Sequence, residues 1–134
     1  MALQYSQTVL NAKLDQIETT ISTAPLLKFY TGAEPATCAT AASGTNLASQ
    51  ALPSDWLANA SAGAKAKAGT WTGTFSAAGT VGYFRIYDST GTTCHVQGSV
   101  TATGGGGDMT MDNPVAASAQ AWTVNTFTLT SANA

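Results

Sequence analysis

The residue types able to do chemistry are few in this chain and poorly placed for it. His95 is the only histidine. A Ser-His-Asp set would have to use it, yet no acidic residue is positioned by sequence to orient its imidazole. Asp108 and Asp112 bracket Met109-Thr110-Met111 and in a strand would share one face. At ~3.3 Å per residue they stand roughly 13 Å apart. That is too wide for one metal ion, and wider than the roughly 5–9.5 Å of glycosidase carboxylates. The run Gly104–Gly107 could suggest a phosphate-binding loop, but no Lys-Ser/Thr follows and the next element reads as a strand. It reads as a flexible connector. No enzyme activity, cofactor or metal site is expected.

Cys38 and Cys94 are the only cysteines, and neither has a CxxC partner. In a chain without an export signature they read as two free, small core residues, with a bridge as the alternative. Asn59-Ala60-Ser61 matches a glycosylation acceptor that the same missing signature leaves idle. Trp56, Trp71 and Trp122 could stack a sugar if exposed together, but core or interface packing is the expected fate of such large apolar rings.

Charge narrows the partners. Only 9% of the 134 residues are charged, against 44% hydrophobic, and the net charge is −2. Lys13, Lys28, Lys65, Lys67 and Arg85 are scattered, so no basic patch is available for a phosphate backbone and direct nucleic-acid binding is not expected. No apolar run reaches the ~18 residues of a membrane span. The N-terminus lacks the basic-then-apolar pattern of a signal peptide, which places synthesis in a cytoplasm. Thr, Ser, Ala and Gly make up much of the surface instead. Such a surface dehydrates at low cost, because no Lys or Glu must lose its hydration or rotamer freedom.

The elements that would position these residues fall into two parts of one structural unit. Residues 1–24 form an N-terminal helix, in which Leu3, Leu10 and Ile17 recur at heptad spacing with Leu14 and Ile21 on the adjoining stripe. Pro25 should end the helix near Ser22. Thr8, Val9, Thr19, Thr20 and Ile21 weaken it, so it must dock on its own sheet or on another subunit. Residues 25–134 read as strands: Leu26–Thr31, Asn46–Leu52, Gly69–Ser76, Thr80–Asp88, Thr93–Ala102, Asp108–Asp112 and Ala121–Thr130. Ala33–Thr45 and Ala58–Ala68 read as exposed loops, and Ser54-Asp55 as the cap of one helical turn presenting Trp56 and Leu57 to the core. The fold class is therefore mainly β, a single-domain antiparallel β-sandwich preceded by one amphipathic α-helix.

One hairpin can be registered from the sequence. A three-residue loop Ser89-Thr90-Gly91, with Gly91 left-handed, would set Ile86 opposite Cys94 and Phe84 opposite Val96 on the inner face. Arg85 would face His95 on the outer, solvated side.

The segments MALQYSQTVLNAKLDQIETTI, LLKFYTGAEPA, GYFRIYDSTGTTCHVQGSVTA and GGDMTMDNPVAASAQAWTVNTFTLTSANA together resemble a family of small tailed-phage virion proteins. Their shared layout is an N-terminal helix, a K-F/I-Y-T/S-G-A-x-P strand, a G-x-F-R-I/V-x-x-S-x-G-T hairpin and a terminal T-x-x-x-F-T-L-T. The resemblance implies a capsid cement or decoration protein with a jelly-roll-like sandwich, assembled in the host cytoplasm onto the virion surface. Its partners would be the major capsid protein and further copies of itself, as dimer or trimer. No catalytic residues are carried over. The residues expected to associate are Leu3, Leu10, Leu14 and Ile17 of the helix and the loop around Lys65 and Lys67. A tail or fibre component that recognises a host glycan through exposed Trp71 and Trp122 is the alternative.

Overall fold

The computed structural model describes residues 2–133. Helix α1 (Gln7–Ile21) is followed by β1 (Leu26–Thr31), β2 (Asn46–Ala51), β3 (Ala64–Ala66), β4 (Thr72–Thr74), β5 (Gly79–Tyr87), β6 (Cys94–Ala102), β7 (Met109–Met111), β8 (Val115–Ala116) and β9 (Ala121–Thr130). The class is mainly β with one leading helix, as expected.

Helix α1 starts at Ser6, whose Oγ accepts the Val9 N–H at 3.3 Å, so Leu3 lies outside it. It stops where Ser22 and Ala24 take positive φ, 75° and 49°, immediately before Pro25. Leu10, Leu14 and Ile21 are buried, and the Trp56 indole N–H donates to the Ser22 carbonyl at 3.0 Å. The helix thus docks on its own chain.

The nine strands form one hydrogen-bonded sheet in the order β2-β1-β5-β6-β7-β9-β3, with β4 on β9 and β8 on β5. The sheet curls strongly. Phe29 on β1 meets Trp122 on β9 edge-on at 4.9 Å, although β5, β6 and β7 separate their strands. Trp56, Trp71, Phe75, Phe84 and Phe127 fill the space inside the curl. Core packing is therefore the fate of all three tryptophans.

Five expectations are corrected. The pair β6–β7 is parallel, not antiparallel. Parallel neighbours usually need a crossover of about a dozen residues. Here residues 103–108 suffice because Gly104 and Gly106 take φ of +87° and +82° and reverse the chain. A Cβ on Gly105 would lie 2.7 Å from Thr101 Cβ, and Gly107 N–H donates to Thr101 Oγ1 at 3.0 Å. The glycine run is a fitted turn and not a loose connector.

The β5–β6 register also differs: Ile86 pairs with Val96, Arg85 with Gln97 and Phe84 with Gly98, while Tyr87 pairs with Cys94 beyond a bulge. The cause is Asp88. Its carboxylate accepts from Thr92 N–H and Thr90 Oγ1, both at 2.9 Å, and so organises a loop longer than three residues. Phe84 and Ile86 still face inward, because the register moved by a whole two-residue period.

The segment Ala58–Ala68 contains strand β3, which pairs with the C-terminal part of β9. Finally, no helical turn forms at Ser54-Asp55, although Trp56 and Leu57 are buried as expected.

Candidate functional site

The polar chemistry collects around two buried cations, one beside α1 and one beneath the segment between β1 and β2. Lys65, expected on an exposed loop, is 1% exposed in the middle of β3. Its ammonium lies 2.7 Å from Asp15 Oδ1, 2.7 Å from Glu18 Oε2 and 2.9 Å from the Ala58 carbonyl. Three donors meet three acceptors. Burial works against the charged form, but the bonds to Asp15 and Glu18 outweigh it and raise the Lys65 pKa. The bond from Lys65, with the Ala60 N–H, holds the Asp15 carboxyl below its usual range. Asn11 and Asp15 also accept the Gly63 and Ala60 amides at 3.0 Å, so residues 60–63 are tied to α1.

Arg85 is the second cation, and its side chain is 2% exposed. It lies on the outer face of β5, as alternation requires, but that face is covered. The chain between β1 and β2 folds across it and offers its carbonyls to the sheet. Arg85 Nη2 donates to Thr37 O at 3.2 Å and Thr40 O at 2.7 Å. Gln97 Nε2 donates to the Pro35 carbonyl. Tyr83 Oη donates to the Ser43 carbonyl at 2.6 Å and accepts the Ser43 N–H at 3.0 Å. Tyr30 stacks on Tyr83 at 5.1 Å, and Arg85 Nη1 approaches Tyr87 Oη at 3.5 Å. Burial, followed by the bond to Tyr87, pushes the Tyr30 phenol up to about 12. No carboxylate takes part in these contacts. Burial again opposes the charge, yet the Tyr87 bond raises the Arg85 pKa, so the guanidinium stays protonated. Arg85 Nε and Gln97 Oε1 have no hydrogen-bond partner among the described residues.

Most of the residues expected to associate are covered by the chain itself. Leu10 and Leu14 are covered by the chain itself, and Ile17 is half-buried against the core. Lys67 is half-buried on the strand side and donates to the Gly69 carbonyl at 3.1 Å. Leu3 alone of the set is open to solvent, at 72%. Tyr5 and Val9 are also exposed, which sequence periodicity did not single out. The arm before α1 is nonetheless anchored. Tyr5 N–H donates to Asn133 Oδ1 at 2.6 Å, Asn133 Nδ2 donates back to Tyr5 O at 3.1 Å, and Lys13 Nζ sits 4.9 Å over the Tyr5 ring.

His95 does not meet Arg85. It lines a shallow groove of about 240 Å³ with Lys13, Gln16, Ile17, Thr20 and Ile21 of α1. Asp108 accepts from Ser99 Oγ at 2.8 Å and Asp112 from Thr123 N–H at 3.0 Å, so each is a local strand brace. No group of three metal-ligating side chains occurs among the described residues.

Comparison with protein families, with curated proteins and with solved structures returned no match. The residues themselves therefore carry the functional reading. No helix among the described residues is long and apolar enough to cross a membrane.

Proposed function

We propose that this chain is a bacteriophage virion structural protein, a capsid cement that attaches to the major capsid protein and braces the shell. The observation that carries the reading is the exposed apolar group at this end of the chain, Leu3 and Tyr5 on the anchored arm and Val9 on the first turn of α1, while Leu10 and Leu14 lock that helix to the sheet. An apolar grip on a pinned arm loses little entropy on binding. The weakly charged, hydroxyl-rich surface supports it, since covering such a surface requires little desolvation. Many weak contacts across a shell then add through multiplicity. The curled sheet, with β1 facing β9 across the aromatic core, is proposed as a variant of the jelly-roll-like sandwich. Copies would associate as dimers or trimers on the capsid surface.

Imaging and mass spectrometry of purified particles test this. Density on the capsid and copies in the hundreds are expected, and Leu3→Asp with Val9→Asp should release the protein while leaving its fold intact. Absence from intact particles, or full occupancy by the double variant, would end the reading. The alternative of a glycan-binding tail component loses its stacking platform, because Trp71 and Trp122 are fully buried.

A further inference from the structure

Cys38 and Cys94 lie far apart in sequence and on different elements, yet the fold sets them side by side. Arg85 clasps the carbonyls of Thr37 and Thr40, which fixes the backbone on both sides of Cys38. Tyr87, two residues along the same strand and in contact with that guanidinium, is the register partner of Cys94. The Cys94 Sγ lies 3.6 Å from the Val96 carbonyl, and Cys38 and Arg85 are the side chains near enough to shift its titration. Both cysteines are free and half-buried, so small reagents can reach them.

We infer that Cys38 and Cys94 form a redox latch, which a low-molecular-weight disulfide closes into an intramolecular bridge that fastens the 33–45 segment to β6. The Cys38 thiolate attacks the reagent disulfide and expels one thiol, leaving a mixed disulfide on Cys38. Cys94 then loses its proton, its sulfur displaces the second reagent thiol from Cys38, and the Cys38–Cys94 bond forms. One disulfide is reduced to two thiols as two protein thiols become one disulfide. Cys94 is assigned the resolving role: burial, with Cys38 nearby, pushes its thiol up to about 12, which keeps it protonated and slow to start the exchange. The latch does not depend on the virion reading.

Oxidised glutathione is the probe, with intact-mass and peptide analysis as the readout. The wild-type chain should lose two hydrogens, yield a Cys38–Cys94 peptide and gain roughly 10 °C in thermal midpoint. Cys94→Ser should stop at one glutathione on Cys38. Two persistent free thiols, two glutathione adducts or a disulfide-linked dimer in the wild type would overturn the inference. That result decides even if the serine variant fails to fold.

Discussion

Lys65 and Arg85 are buried to nearly the same degree, but the molecule neutralises them by different means. Lys65 is met by two carboxylates and a carbonyl, one acceptor for each ammonium proton. Arg85 is met by carbonyls and a phenol, with no carboxylate among its contacts. An ammonium is a compact charge that must regain most of its lost hydration from full counter-charges. A guanidinium spreads its charge over a plane of five donors and is more weakly hydrated, so carbonyl dipoles suffice. Each cation also fastens a different element. Lys65 holds α1 to the sheet edge, and Arg85 holds the 33–45 segment to the sheet face.

The contrast can be broken most directly from the acidic side. Asp15→Asn combined with Glu18→Gln would strand the Lys65 charge in a buried site, the costliest situation a buried pair can reach. The deepest fall in thermal midpoint of the series is expected, with loss of helical circular dichroism. A deeper fall in Arg85→Met would reverse the ranking.

Arg85→Met should come next, at about 2–3 kcal/mol, because Thr37 and Thr40 carbonyls lose their donor. Amide exchange should quicken across residues 33–45 and stay unchanged in α1. Arg85→Lys should not rescue it, since a single ammonium lacks the fork that spans both carbonyls. Equal exchange in the two regions would show that the guanidinium is not the fastener.

Lys65→Met should cost less, about 1–2 kcal/mol. Asp15 is half-exposed and Glu18 partly so, and both can hydrate once the ammonium is gone. Urea denaturation of this variant beside the acidic double variant separates an absent charge from an unpaired one.

Mild acid should give the smallest effect, because a carboxyl held below its usual range is protonated only in part. The Asp15 carboxyl is held below the usual value of 3.8, and Asp88 is brought to about 2, chiefly by the Thr92 amide. A depressed carboxylate adds stability that is present above its unfolded pKa and is lost as pH falls through the folded one. Between about pH 4 and 2 the α1 clasp and the β5–β6 loop should loosen, while the Arg85 clasp, having no carboxylate, holds. The Trp56 indole resonance, bonded to Ser22 at the end of α1, reports the first, and Ser43 exchange reports the last.

Punctuation made several elements legible. Pro25 marks the end of α1, Gly32 the end of β1, and the alternation from Ala121 to Thr130 coincides with β9. Other parts were opaque for definable reasons. The sequence around Lys65 reads AKAKA, in which alanine and not a large apolar side chain alternates with lysine, and its counter-charges lie in the helix. The glycine run looked slack because its partner, the Thr101 backbone and side chain, belongs to another strand. The hairpin register slipped because a side chain, Asp88, set the loop length. The association residues Leu10, Leu14 and Lys65 turned out to serve the fold, and only Leu3 of that set is well exposed.

Local chemistry settled the class of structure, the helix boundary, the burial of the tryptophans and which face of β5 each residue occupies. Those properties follow from period and from neighbours a few residues away. Whether the outer face of β5 meets water was decided only in three dimensions, when the 33–45 segment crossed it. That closure brought Cys38 near Cys94, and the docking of α1 beside β3 gave Lys65 its carboxylates. Alternation assigns a side chain to a side of the sheet; what covers that side depends on contacts between segments distant in sequence, and no local period encodes them.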